Sequence, residues 1–394
     1  MTTDLGRRQT LVRLLAAGAA AAGAVAHRAR AQAATAPIGN AAPLADLGMD
    51  LDAAQRAAGV AFLGRHPSVD IHSHPGRFFL GHLTYATPTT RAFGAPFEER
   101  AVADLRLGRV SATLISAVAD MALLEMTPTG GLHAARDFAP GEALAEYRRQ
   151  LDEIDSLIAA HALDTGADAA DIRSAHRRNR TAAVISVEGG DFIEDRLERV
   201  HQAFYGGVRA ITLVHYHVNQ IGDIQTEAPV HGGLTAIGKS IVAEMNRAGI
   251  IADLAHASLA STRDAGSISM KPMMISHTNL ARPGVEHPRL ISLEHAKLVT
   301  DAGGIIGSWP SGIGNRTFSD YIDSIRRLVD AVGIDHVAIG TDMDANFKPV
   351  LQSYRDWSLI PAALMARGMH EDEAAKIMGG NFLRVFSANR PRAG

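Results

Sequence analysis

The strongest constraint on this chain is a repeated alternation: eight short apolar, β-branched runs separated by longer segments of helical periodicity. The runs are Ser68–His72, Ala112–Ala117, Ala182–Val187, Ala210–Val214, Ile250–Ala255, Pro272–Ser276, Gly303–Ser308 and Val337–Thr341. Strands that are apolar throughout need cover on both faces, which a parallel sheet receives from its crossover helices. Between the fourth and fifth runs the pattern predicts a helix from Thr235 to Ala248. Ile237, Ile241, Val242 and Met245 form its apolar stripe, and Gly249 is placed to stop it. Leu144–Leu157, Leu293–Ala302 and Asp320–Val332 have the same character. Eight strand–helix units close as an α/β fold, a (β/α)8 TIM barrel, with residues 34–394 forming a single domain. An open doubly wound sheet is the rival. It would carry a glycine-rich phosphate turn after its first strand, where this chain has Ile71-His72-Ser73-His74-Pro75. Phe78 to Leu107 and Leu123 to Glu142, with scattered Gly, Pro and Thr, read as long loops over the barrel mouth.

A parallel barrel builds its site where the strands stop, at their C-terminal ends. Here the first strand ends in His72 and His74, two residues apart and therefore on one face of extended backbone. The third runs into Val187-Glu188-Gly189-Gly190, the fourth into His215 and His217, the fifth into His256, the sixth into His277 and the eighth into Asp342 and Asp344. The chain has 18 histidines and no cysteine, so a metal must be held by imidazole or carboxylate. His72, His74, Glu188, His256 and His277 are more ligands than one catalytic zinc takes. A carboxylate among four imidazoles suits two divalent cations, zinc by ligand type, with a bridging hydroxide available near neutral pH. Any one of these histidines alone reads as an ordinary core or surface residue; their joint placement is what indicates a site. His217 and Asp344 read as supporting or surface residues, and Trp309 as either a pocket wall or core packing.

The N-terminus has a separate logic. Arg7-Arg8, an Ala/Leu-rich tract from Leu11 to Ala26 and the small-residue site Ala31-Gln32-Ala33 read as a twin-arginine export signal over residues 1–33, either cleaved or kept as an anchor. The expected partner is the twin-arginine export machinery and the expected location the periplasm. No later run reaches the roughly 18 apolar residues of a membrane span. Lys plus Arg total 39 and Asp plus Glu 42, a net charge of -3 without long single-sign blocks, which gives no footprint for a nucleic-acid partner. Nothing in the sequence decides between a monomer and a homodimer.

The motifs together resemble the membrane (renal) dipeptidase family of binuclear zinc peptidases, within the amidohydrolase-type barrels. The resemblance runs from about Val69 to Phe386. It is carried by Ser186-Val187-Glu188-Gly189-Gly190, by Gly233-Leu234-Thr235 through Ile251-Ala252-Asp253-Leu254-Ala255-His256-Ala257-Ser258, and by Ile275-Ser276-His277 with His287-Pro288-Arg289. His336 through Asp344 and the closing Gly379-Gly380-Asn381-Phe382-Leu383-Arg384-Val385-Phe386 complete it. The resemblance implies Glu188 as the bridging carboxylate, His72 and His74 on one metal, and His256 and His277 on the other. It also implies Asp342 as the group that takes a proton from water and returns it to the leaving amine, His215 as a donor to the carbonyl oxygen, and Arg289 as the partner of the substrate carboxylate. Two departures stand out. The family usually has Asp where this chain has His74, which makes the first metal site one unit more positive. The segment Thr278 to Pro288 is about one residue longer than usual, and Leu290 stands where Asn often follows the arginine.

The expected activity is metal-dependent hydrolysis of dipeptide amide bonds, with D-residues accepted at the C-terminal position. On the same barrel an N-acyl amino acid deacylase or a lactonase is the alternative, and a catalytically silent binding barrel the third reading. The complete set of ligand types argues against the last.

Overall fold

The computed structural model describes residues 47–80, 95–127 and 131–390, so residues 1–33, read above as an export signal, lie outside the described residues. The eight apolar runs form eight parallel strands: β1 Val69–Ser73, β2 Ala112–Val118, β3 Ala182–Glu188, β4 Val208–Thr212, β5 Ile251–Asp253, β6 Met274–Thr278, β7 Ile305–Ser308 and β8 Val337–Ile339. Each pairs with the next, from β2 beside β3 at Ala112↔Ala182 to β7 beside β8 at Ile306↔Val337. The ring closes through Asp70↔Ile339, between β1 and β8. This is the expected (β/α)8 barrel. A two-residue strand, Asp164–Thr165, pairs beside the start of β3.

Strand alternation sorts the side chains. Val69 and Ile71 join Leu114, Val184 and residues from every other strand of the ring, with Ile172 and Phe382, in one apolar cluster. Asp70, one position out of phase, belongs to the other face, and the register of β1 against β2 shifts between Asp70 and Ser73, just where His72 stands. The helix after β4 spans Ala236–Ala248, with Thr235 accepting from the Gly238 amide at its start and Gly249 in the left-handed region, φ 86°, at its end. The other expected helices are Glu142–Ala160, Leu293–Thr300 and Phe318–Val332. The last starts two residues before Asp320 because Thr317 and Asp320 form a capping box.

Two regions read as loops are in part regular. Ala95–Leu107 is a helix with Val102 and Leu105 buried, and Pro75–Leu80 is a short 3-10 segment. Pro96 sits in the first turn of the Ala95–Leu107 helix, where the missing amide costs no helical bond. Leu124–Met126 and Leu132–Ala134 pair as an antiparallel hairpin. Among the described residues no helix is long and apolar enough to cross a membrane.

Candidate metal centre

The five anticipated ligands arrive from four strands and meet. His72 closes the inward face of β1, and His74 follows just past its end. Glu188 is the last residue of β3, His256 stands three residues past β5, and His277 lies within β6. All five are buried, at 2% exposure or less. Glu188 is at the centre: Oε1 lies 3.1 Å from His256 Nε2, 3.4 Å from His72 Nε2 and 3.5 Å from His277 Nε2. Oε2 lies 3.5 Å from His74 Nε2. The Nε2 atoms of His72 and His74 are 3.2 Å apart, and so are those of His256 and His277. The donors therefore fall into two triads, His72-His74-Glu188 and Glu188-His256-His277, with the carboxylate in common.

Close approach of backbone makes this convergence feasible. A Cβ on Gly340 would stand 1.7 Å from the Ser276 carbonyl oxygen, so only glycine lets the end of β8 reach β6 beneath the site. The turns that follow are strained: His256 has φ 65° and Asp342 φ 54°, left-handed values for non-glycine residues. The Asp342 amide donates to the His72 carbonyl at 2.9 Å, which ties that turn to the first ligand.

Two buried carboxylates support the ligand-bearing turns from below. Asp70 Oδ1 accepts from the amides of Thr341 at 2.9 Å and His72 at 3.2 Å, and Oδ2 from the Tyr354 hydroxyl at 2.7 Å and the Thr341 hydroxyl. Burial outweighs these donors and raises its pKa to about 6. Asp253 Oδ1 accepts from the amides of Ser276 at 2.9 Å and Ala255 at 3.0 Å, and Oδ2 from the Thr212 hydroxyl at 2.6 Å.

The donor chemistry fits divalent cations. His74 Nδ1 donates to the Ser116 carbonyl at 2.8 Å, which fixes the tautomer and leaves the Nε2 lone pair inward. That lone pair faces carboxylate oxygens of Asp342 at 3.3 Å and Glu188 at 3.5 Å, an arrangement that is repulsive without a cation. Burial also pushes His256 and His277 well below the ordinary imidazole value, keeping both neutral, as ligands must be. Burial alone would raise Glu188, but His215, His72 and His256 hold it well below the usual carboxylate range.

The remaining anticipated residues are at the same rim. His215 Nε2 points toward Glu188 Oε2 at 3.6 Å. Arg289 is 1% exposed, so it is no surface arginine despite the lengthened segment before it. It donates to the Gln225 side-chain oxygen and, at 3.4 Å, to the His277 carbonyl, and lies over the Trp309 ring at 5.3 Å. Trp309 itself packs edge-on against His277, so it both lines the site and fills space. Asp344 accepts from the Gly76 amide at 3.1 Å, and His217 is bonded to Asp191 at 2.6 Å. Both are supporting residues. Sequence reading missed Asp120, which is fully buried and 2.6 Å from His215 Nδ1. The only sequence signal was an acidic residue just past the end of β2.

A closed parallel barrel with five buried nitrogen and oxygen donors at the C-terminal rim has the architecture of a metal-dependent barrel enzyme. More particularly, the chain belongs to the membrane dipeptidase family, Peptidase family M19, whose model matches residues 65–392. Dipeptidase verJ of Clonostachys rogersoniana is 31% identical over 273 residues, covering 66% of this chain and 70% of that protein. Dipeptidase tcpJ of Claviceps purpurea is 30% identical over 266 residues, covering 64% and 62%. The fold is shared with the probable dipeptidase PvdM from Pseudomonas aeruginosa, TM-score 0.71 at 19% identity over 86% of this chain and 99% of that one. It is shared too with a metallo peptidase from Rhodobacter sphaeroides liganded with a phosphinate mimic of the dipeptide L-Ala-D-Ala, TM-score 0.68 at 18% identity, covering 82% and 99%. Metal-dependent hydrolysis of dipeptides is the activity that this membership gives the chain.

Proposed function

We propose that the centre holds two zinc ions, one on each triad, and that the chain cleaves dipeptides whose C-terminal residue is of either hand. The observation that carries the reading is Glu188, central to two donor triads whose other members are imidazoles. Bound there, such ions polarise the amide carbonyl and make hydroxide available near neutral pH. Asp342, its Oδ1 at the edge of the first triad, accepts the proton of the attacking water and passes it to the departing amine. His215 directs Nε2 into the centre, where it donates to the carbonyl oxygen as negative charge grows. Arg289 supplies the buried cation for the substrate's terminal carboxylate. Among the described residues no carboxylate stands within ion-pair distance of it, and its Nε has no partner.

Tolerance of a D-residue is an extension from the mimic bound by the Rhodobacter sphaeroides protein. The twin-arginine tract supports export to the periplasm, tested by fractionation of a variant with Arg7 and Arg8 changed to Lys. The central test is elemental analysis with chelation. About two zinc per chain, loss of dipeptide cleavage on chelation and recovery on adding zinc are expected; a chelated protein that keeps full activity overturns the reading. The same assay on N-acyl amino acids and lactones separates a dipeptidase from a deacylase or lactonase.

A further inference from the structure

We propose that Asp120 is the positioning residue of the reaction: it holds the His215 imidazole so that Nε2 faces the carbonyl oxygen of bound substrate. Asp120 follows β2 and precedes a 3-10 turn at Met121–Leu123, where an aspartate is ordinarily a cap; here its side chain makes no cap bond. Both oxygens are committed elsewhere. Oδ1 lies 2.6 Å from His215 Nδ1, and Oδ2 accepts from the Tyr216 amide at 3.0 Å. The carboxylate thus grips two consecutive residues of the turn after β4, fixing the backbone of one and the ring of the other. The turn that carries Asp120 is itself pinned, since the Ala119 amide donates to the Glu188 carbonyl at 2.8 Å. Ligand, positioning residue and substrate donor are therefore joined by three hydrogen bonds.

A buried carboxylate is costly, and an asparagine of equal size would avoid the charge. An asparagine, however, has an oxygen at one of these positions and an NH2 at the other, so either His215 Nδ1 or the Tyr216 amide would face a second donor. The residue type follows from that double duty. With Nδ1–H given to Asp120, donation from Nε2 requires the ring to carry both protons, the imidazolium form that a carboxylate partner favours, and the ring cannot turn over without breaking a charge-assisted bond. A second pair, His217 Nδ1 with Asp191 at 2.6 Å, lies on the same turn and serves as an internal control.

The inference rests on the substrate-contact reading of His215, and the experiment separates the two. Asp120→Asn and His215→Ala are made singly and together in the zinc-loaded protein, with kcat, KM and zinc content measured on one dipeptide. Asp120→Asn is expected to lower kcat about 10- to 100-fold with KM and zinc little changed. The double variant is expected to match His215→Ala within about twofold, because both changes remove one function. A strongly deshielded imidazole proton from His215 is expected in the wild-type proton spectrum and is expected to vanish in Asp120→Asn, while the one from His217 stays in both. If His215→Ala keeps wild-type kcat, the substrate-contact reading fails. If His215→Ala is impaired while Asp120→Asn is not, or the two losses multiply, the positioning role is overturned. A loss of zinc or of thermal stability that accounts for the whole fall in kcat overturns it as well.

Discussion

Oδ1 of Asp342 lies 3.3 Å from Nε2 of His74, closer than the shared carboxylate Glu188 comes to that nitrogen at 3.5 Å. The proposed proton carrier thus borders the ligand at which this chain departs from its family. An imidazole at position 74 brings no charge, so the anionic character of the first triad comes from Glu188, with Asp342 beside it. Asp342→Asn keeps the shape and removes the base. We expect kcat to fall at least about 100-fold with bound zinc and KM near wild type. Steady-state kinetics with elemental analysis checks this, and a variant that keeps its rate assigns the proton transfer elsewhere.

His74 and His277 belong to different triads, so their loss should be told apart by stoichiometry. His74→Ala is expected to retain about one zinc per chain, because His256, His277 and Glu188 remain. His74→Asp restores the ligand type usual in the family and should retain two. Elemental analysis after dialysis decides. Two ions retained by His74→Ala would mean that His74 is not a ligand.

The buried Arg289 guanidinium should act on binding more than on chemistry. Arg289→Ala is expected to raise KM for a free dipeptide about 10- to 100-fold, and to leave a C-terminally amidated dipeptide, already a poor substrate, nearly unaffected. Arg289→Lys should recover little, since a point charge cannot reproduce a planar fork held by Gln225 and the His277 carbonyl. Equal losses on both substrates would remove the carboxylate contact.

How much of this was legible in the chain follows from where the information is stored. The barrel was, because strands covered on both faces are contiguous apolar runs, and a polar residue where such a run stops is conspicuous. His72, Glu188, His256 and His277 are all of that kind. The helix Ala95–Leu107 was not, since Gly94 precedes it, Pro96 stands in its first turn, and its buried residues, Val102 and Leu105, give a short stripe among charges. Asp120 was hidden for another reason: its partner is 95 positions away, and nothing local separates it from a helix cap. Asp70 and Asp253 stand as charges inside apolar strands, but part of what they hold belongs to other strands, Thr341 after β8 for the one and Ser276 of β6 and Thr212 of β4 for the other.

Acid sensitivity offers a test away from the metal ligands. His295 is buried in the helix after β6, where its Nε2 meets the Thr262 hydroxyl at 2.7 Å. Burial, with a smaller contribution from Arg289, lowers its pKa from 6.5 to about 4. The unfolded chain therefore binds a proton at this residue between about pH 6.5 and pH 4 while the folded chain does not. Stability from this group is full above pH 6.5 and is lost as the pH falls toward 4, by up to about 3 kcal/mol. Other groups titrate in that window, the buried Asp70 and Asp344 among them, each raised to about 6 by burial, so the informative quantity is a difference between variants. His295→Gln keeps a side-chain contact to Thr262 without the titration. Denaturant midpoints of the metal-free proteins, taken from pH 7.5 to pH 4.5, should fall more steeply for wild type than for the variant. Parallel curves would show that His295 titrates alike in both states, and that its burial does not govern acid stability.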